Sequence, residues 1–354
     1  MTKMPLLEVD DLVKHFPARR SAFGRALSTV KAVDGVSFRV EAGETLAIVG
    51  ESGCGKSTVG RLVLNLIDAT SGKVRFEGKD VASFDGSKLK AFRSKATLIF
   101  QDPYASLNPR MTIGDTLNEP LMLHTDLVAS ERHGRVGELL ATVGLQASHH
   151  ERYPHEFSGG QRQRVAIARA LAASPQLVVC DEPVSALDVS IRAQVLNLLR
   201  RLQQDLGLAL IFISHDLSVV KHIADRVAVM YLGRIVETAP TEALFAAPRH
   251  PYTQALLSAV PIPAPRRARV RPLLAGDPPS PLAPPSGCHL HPRCAYAVDS
   301  CSTQAQKLVV VGADDSAVAC HRWQAALRDY SVPTDAGAMT PALRRLLDAY
   351  GRGE

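Results

Sequence analysis

Gly50-Glu-Ser-Gly-Cys-Gly-Lys-Ser-Thr58 decides the fold of this chain. Ahead of it, Thr45-Leu-Ala-Ile-Val49 is a short apolar run ending at a glycine, the pattern of a strand buried on both faces. Behind it, Val59, Leu62, Val63 and Leu66 recur at helical spacing and predict a helix starting near Lys56. Gly50, Gly53 and Gly55 let the backbone turn tightly enough for its N–H groups to face phosphate oxygens, and the positive end of the helix reinforces them. A Gly-rich turn between a strand and a helix predicts a nucleoside-triphosphate site with magnesium. In it Lys56 bridges the outer phosphates, Ser57 ligates Mg2+, Thr58 adds a phosphate contact, and Ser52 and Gly53 line the loop. Cys54 takes a free position in the loop and reads as buried filler, although a thiol there would make the site sensitive to alkylation.

Further elements of phosphate chemistry follow along the chain. Leu177-Val-Val-Cys180 reads as a second buried strand, and it ends in the carboxylates Asp181 and Glu182. Asp181 is expected to hold magnesium and Glu182 to polarise the attacking water. A third strand, Ala209 to Ile213, leads to Ser214-His215-Asp216; behind a phosphate loop and a paired-carboxylate strand, His215 reads as a sensor of the outer phosphate. Gln101 and Phe157-Ser-Gly-Gly-Gln161 lie between the loop and the carboxylates.

The chain has 354 residues, enough for one large domain and a smaller one, with 46% hydrophobic residues. No stretch reaches the roughly 18 apolar residues that cross a bilayer, and Met1 to Asp11 lacks a signal-peptide core, so a cytoplasmic location is expected. A net charge of +6 spread over scattered Lys and Arg gives no basic arm for nucleic acid. Composition changes near Ala247: 11 prolines fall between Pro248 and Pro285, which predicts an extended connector. Four of the six cysteines lie beyond it. The expected division is residues 1–247 for the nucleotide domain, 248–285 for the connector, 286–330 for a small Cys-rich domain and 331–354 for a tail. Leu343, Leu346 and Leu347 suggest a short helix in that tail.

These motifs together resemble the ATPase subunit of ATP-binding-cassette transporters. Phe157-Ser-Gly-Gly-Gln161 is similar to that family's signature, with Phe in place of the usual Leu. The resemblance implies an α/β P-loop cassette with an antiparallel β subdomain and an inserted helical subdomain at about 102–157, followed by the Cys-rich domain. It implies that Ser158, Gly159, Gly160 and Gln161 meet the outer phosphate of ATP on an opposite subunit, and that Asp188 belongs to a loop communicating across that dimer. Gln101 would link magnesium and the attacking water to the helical subdomain, and Phe16 would stack on adenine. His250-Pro-Tyr252, the proline-rich connector and the late cysteines are similar to the dipeptide and oligopeptide branch. Tyr104-Ala-Ser-Leu-Asn-Pro-Arg110 and Asp181-Glu-Pro-Val-Ser-Ala-Leu-Asp-Val189 are most similar to its dipeptide-importer F-type subunit.

The implied function is ATP hydrolysis that powers import of dipeptides or short peptides, from the cytoplasmic face of the bacterial inner membrane. The implied partners are a second, different ATPase subunit, two transmembrane permease subunits and an extracytoplasmic peptide-binding protein, with no nucleic acid. Related importers of longer oligopeptides, glutathione or nickel complexes are the nearest alternative. Exporters and DNA- or ribosome-associated cassettes fit less well, because the first would not carry the C-terminal extension and the second usually carry long insertions or two cassettes.

Cys288, Cys294, Cys301 and Cys320 stand at C-x5-C-x6-C-x18-C. Reducing cytosol argues against disulfides, which leaves a four-iron, four-sulfur cluster, a Zn2+ site or metal-free thiols. The wide spacing favours the cluster over zinc, and the resemblance implies a [4Fe-4S] cluster on these four positions. His289, His291 and His321 are nearby alternatives as ligands.

Overall fold

The computed structural model describes residues 4–20, 26–102, 106–259, 274–312, 314–330 and 345. Two compact units result, one from Met1–Glu41, Thr45–Ala82 and Ile213–Pro341, the other from Ala42–Glu44, Ser83–Phe212 and Ala342–Glu354.

The chain begins in the first unit with β1 (Leu7–Arg20) and β2 (Ala26–Val40), an antiparallel hairpin with Leu7 opposite Val40 and Val9 opposite Phe38. After β3 (Thr45–Val49), the phosphate-loop segment and helix α1 (Lys56–Val63), β4 (Ser71–Phe76) pairs with the other side of β1, and β5 (Lys79–Asp80) pairs with β4. The result is a four-stranded antiparallel sheet in the order β2-β1-β4-β5. Period-2 alternation buries Leu7, Val9, Phe38, Val40, Val74 and Phe76 on its inner face.

The second unit is a helical body around short parallel strands. Helix α2 (Gly86–Lys95) is capped by Asp85 and leads into β6 (Ala96–Ile99). Two helices follow, α3 (Ile113–His124) and α4 (Ala129–Thr142), and then 3-10 turns at Ala147–Glu151 and Pro154–Glu156. The hydroxyl of Thr112 accepts the Asp115 N–H while the Asp115 carboxylate accepts the Thr112 N–H, a reciprocal cap that starts α3. Helix α5 (Gly159–Leu171), β7 (Leu177–Asp181), α6 (Val189–Leu206) and the beginning of β8 (Ala209–Ser214) complete the unit. β6 and β7 are parallel, with Ala96 opposite Leu177 and Ile99 opposite Cys180, and all five residues of β7 are buried. Gly207, at φ 63°, closes α6 in the left-handed conformation that glycine adopts without a Cβ penalty.

The chain then returns to the first unit through α7 (Leu217–Ile223) and β9 (Arg226–Tyr231), which lies parallel to β3 with Leu46 opposite Arg226. β10 (Arg234–Pro240) turns back antiparallel to β9, and helices α8 (Thr241–Ala246) and α9 (Pro251–Ala259) follow. Helix α10 (Asp299–Thr303), β11 (Val309–Val310), β12 (Ala317–Val318) and α11 (Trp323–Asp329) end the described chain.

The α/β core and the inserted helical body are both present. A distinct Cys-rich domain is not seen, because the described residues 274–330 belong to the first unit. β12 adds to β10 of the nucleotide-site sheet, Glu237 opposite Val318, and the Ala319 N–H reaches the Val236 carbonyl at 2.8 Å. The stretch expected as an extended connector also departs from expectation, since Pro251–Ala259 is helical. Proline is well tolerated in a first helical turn, where its missing N–H has no partner to lose. The rest of that connector at 260–273, Tyr104 and Ala105 of the Tyr104–Arg110 motif, and the leucines of the tail lie outside the described residues.

Candidate functional site

In the first unit, β3 delivers the chain into the phosphate loop and α1 leaves it at Lys56. Gly55 has φ 108°, and a Cβ on it would stand 2.0 Å from the Ala32 carbonyl oxygen, so only glycine fits that turn. Lys56 is buried beneath the loop, its Nζ donating to the carbonyls of Gly50 at 2.9 Å and Glu51 at 3.0 Å. Those bonds hold the ammonium against the loop backbone. Ser52 and Gly53 are exposed on the crest of the loop, and Ser57 and Thr58 are half-buried in the first turn of α1. Cys54 is buried and burial pushes its thiol up, the neutral and unreactive state that suits filler.

His215 is exposed at the end of β8. The following residue, Asp216, caps α7 by accepting the Ser218 N–H at 3.0 Å, and its own N–H donates to Ser214 Oγ at 3.0 Å. This fixed turn presents His215 away from the core. Phe16 is half-exposed on β1 opposite Val30, and the Lys14 ammonium lies 5.1 Å from its ring centroid. One face of the ring is thus partnered by a cation, an attraction to the ring quadrupole.

In the second unit, β7 ends at the buried Asp181 and Glu182 follows at φ 47°. A left-handed backbone at a non-glycine residue ahead of a proline costs about 1 kcal/mol or more, and here it aims one side chain out of a strand end. The turn is held by Ser185, whose N–H and hydroxyl both donate to the Glu182 carbonyl, at 3.2 and 3.0 Å. Gln101 Nε2 donates to Glu182 Oε2 at 3.2 Å, so the two residues expected to orient water meet directly.

The Phe157–Gln161 element is the start of α5. Phe157 is buried with its ring 5.2 Å edge-on from His149, which explains why an aromatic anchor serves here. Ser158 caps the helix: its Oγ accepts the Gln161 N–H at 3.3 Å, and Gln161 Oε1 accepts the Ser158 N–H at 3.0 Å. The serine keeps its own O–H proton to donate to an anion, beside the positive end of a 13-residue helix. A Cβ on Gly160 would lie 2.3 Å from Ile191 Cγ2, so glycine keeps α5 close to α6, while Gly159 is half-buried. Asp188 is exposed at the residue before α6.

Among the described residues, no group of three or more His, Cys, Asp or Glu side chains could hold a metal ion, so neither the [4Fe-4S] cluster nor Zn2+ on Cys288, Cys294, Cys301 and Cys320 is supported. The four residues are free thiols lining one small cavity together with His291 and His321. Burial pushes the Cys288 thiol up, Cys294 to about 11 and Cys320 to about 12. Thiols so shifted stay neutral at pH 7 and act as small apolar packing groups.

A set of contacts with no local sequence signal joins the loop to residues far along the chain. Glu51 meets Tyr252 and Arg293, residues separated from it by 201 and 242 positions. Tyr252 belongs to the His250-Pro-Tyr252 motif, whereas nothing in the sequence marks Arg293.

Residues 33–185 match the ABC transporter family, and residues 236–301 match the C-terminal region of oligopeptide/dipeptide transporters. The chain is 55% identical over 316 residues to the probable peptide ABC transporter ATP-binding protein y4tS of Sinorhizobium fredii, covering 89% of each. It is 54% identical over 297 residues to the dipeptide transport ATP-binding protein DppF of Haemophilus influenzae, covering 84% of this chain and 90% of the relative. Among solved structures, the dimeric post-hydrolysis state of the ATP-binding cassette MJ0796 with ADP and Pi aligns at a TM-score of 0.59 and 26% identity, covering 66% of this chain and 98% of that one.

Proposed function

The chain belongs to the ATP-binding-cassette transporter ATPases of the dipeptide and oligopeptide importer family, and from that premise we propose how its residues share one hydrolytic reaction. It is the ATP-hydrolysing subunit of a peptide importer. The observation that carries the residue assignment is the hydrogen bond from Gln101 to Glu182 at the end of β7.

Gly50, Ser52, Gly53, Cys54, Gly55, Lys56 and Thr58 cradle the phosphates of ATP through backbone N–H groups and the Lys56 ammonium. Ser57, Asp181 and Gln101 offer hydroxyl, carboxylate and amide oxygens, the hard donors that magnesium takes. Magnesium held by these residues would neutralise charge on the phosphate oxygens. Glu182 accepts a proton from the attacking water, Gln101 orients that water, and His215 donates to the outer phosphate. The β–γ bridging bond breaks as the water oxygen bonds to phosphorus, giving ADP and phosphate. Phe16 stacks on adenine.

Ser158, Gly159, Gly160 and Gln161 serve ATP bound on the opposing chain, and Asp188 lies in the loop that senses that dimer. The partner is a second, different ATPase subunit. Two permease subunits and an extracytoplasmic peptide-binding protein complete the importer, with this chain peripheral on the cytoplasmic membrane face. Dipeptides or short peptides are its cargo, supported by the dipeptide transport relative. The proposed limits are residues 1–247 for the cassette, with its helical part at about 102–157, 248–330 for the C-terminal appendage and 331–354 for the tail.

Glu182→Gln tests the assignment. It keeps the side-chain shape and the contact to Gln101 but removes the proton acceptor, so Mg·ATP still binds while turnover by the assembled complex falls at least about a hundredfold. Turnover at the wild-type rate would remove Glu182 from the base position.

A further inference from the structure

Glu51 is the acidic residue of the phosphate loop, next to Gly50 and within the segment that must receive a polyanion. A carboxylate beside phosphate oxygens opposes the positive field of a loop and helix start. The structure resolves that conflict with residues from the C-terminal part of the same unit. Arg293 donates from both terminal nitrogens to the Glu51 carboxylate, Nη1 to Oε2 at 3.3 Å and Nη2 to Oε1 at 3.4 Å. Its guanidinium is anchored by Tyr231 Oη at 3.4 Å and by the Ala275 carbonyl at 3.3 Å, and the residue is only 8% exposed. The Glu51 N–H donates to Tyr252 Oη at 2.8 Å, and the buried rings of Tyr231 and Tyr252 lie 4.6 Å apart. Lys56 takes the Glu51 carbonyl. Every polar group of Glu51 is therefore fixed, its charge by a fork-shaped cation and its N–H by a phenol.

We propose that Arg293 and Tyr252 are positioning residues for nucleotide binding: Arg293 neutralises Glu51 and Tyr252 pins its backbone, so that the C-terminal appendage holds the phosphate loop ready for ATP. The proposal rests on the loop being the ATP site. It gives the appendage a role in the ATPase reaction itself. Removing Arg293 leaves a carboxylate unpaired at the mouth of an anion site, and removing the carboxylate as well relieves the repulsion. A mere scaffold would not respond in that way.

The experiment measures Mg·ADP binding to the full-length chain by calorimetry, with apparent thermal midpoints recorded without nucleotide. Arg293→Met is expected to weaken binding roughly tenfold, and Glu51→Gln added to it to restore affinity to within about threefold of wild type. Arg293→Lys keeps the charge and loses less than about threefold, which serves if the Met variant does not fold. Tyr252→Phe, which removes only the hydroxyl, is expected to weaken binding about three- to fivefold. Wild-type affinity in Arg293→Met, failure of Glu51→Gln to restore it, or equal losses for Lys and Met would overturn the proposal. If the wild-type chain does not bind Mg·ADP, the reading of the loop as the ATP site falls instead, and the proposal with it.

Discussion

At Glu182, local backbone strain and a hydrogen bond act on one side chain: a left-handed φ of 47° on a non-glycine residue and the bond from Gln101 hold the carboxylate at the edge of a buried strand. The phosphate loop uses glycine for the opposite reason, to avoid strain, and two of its glycines test how much. Gly55 and Gly53 both have positive φ, 108° and 78°, but a Cβ at Gly55 meets the Ala32 carbonyl oxygen at 2.0 Å while one at Gly53 meets nothing within 4 Å. Gly53→Ala should therefore carry only the conformational cost, about 1 kcal/mol, and keep Mg·ADP binding. Gly55→Ala adds a backbone clash and should cost roughly 2–4 kcal/mol and lose nucleotide binding. Apparent thermal midpoints and calorimetric titration of the two variants check this, and equal effects would show that the close approach to Ala32 does not matter.

The start of helix α9 is where burial and titration combine. His250 is fully buried, its ring Nδ1 accepts the Tyr252 backbone N–H at 3.1 Å, and its backbone N–H donates to the Glu237 carboxylate of β10 at 2.9 Å. Burial holds the imidazole down at about 3, so it is neutral in the folded chain while the unfolded chain titrates it near 6.5. A depressed folded value means that stability is fully present above pH 6.5 and is lost as pH falls toward 3, on the order of 5 kcal/mol over that window. Glu237 is shifted the other way: burial raises its carboxyl, despite hydrogen bonds that lower it, so protonation relieves part of the same site on acidification. His250→Asn keeps an acceptor for Tyr252 without a titrating group, and its apparent midpoint should fall less steeply between pH 6.5 and 4 than that of wild type. Parallel slopes would remove His250 from the acid response. Elements such as this were hard to read from the sequence, whereas others were plain. The strand predicted at residues 45–49 is β3, and those at 177–180 and 209–213 each lack only one residue of β7 and β8, because each is a local apolar run with a turn or charge at its end. Helix α9 was hidden in a proline-rich stretch, where composition suggested extension but Pro251 occupies the tolerated first position. The two-residue strand β12 owes its form to pairing with β10, β11 owes its form to pairing with β12, and the Glu51–Arg293 contact is a tertiary event with no periodicity to betray it. The cysteine spacing suggested metal, but the four residues are free thiols lining one small cavity, and burial raises the thiols of Cys288, Cys294 and Cys320.

For the whole molecule, the decisive quantity is the number of chains that build one working site. This chain carries one phosphate loop at Gly50–Thr58 and one signature at Phe157–Gln161, and among the described residues no helix is long and apolar enough to cross a membrane. If its signature serves ATP on another chain, damage to that element must appear on the partner. Gly160→Asp tests this, since it forces a side chain against Ile191 and sets a carboxylate at the helix start that should meet phosphate. In a complex with a different ATPase subunit, photo-labelling by an azido-ATP followed by mass separation of the chains should show labelling of this chain's loop retained and occlusion at the partner's loop lost, with turnover reduced at least about tenfold. In a complex with two copies of this chain, both labels would fall together. Native mass spectrometry of the same preparation supplies the count directly, and two copies of this chain with no second ATPase would overturn the heterodimer. Alkaline washing of membranes adds a further measure: a chain attached only through permease contacts leaves with the wash, while one held by its own lipid-embedded segment stays behind.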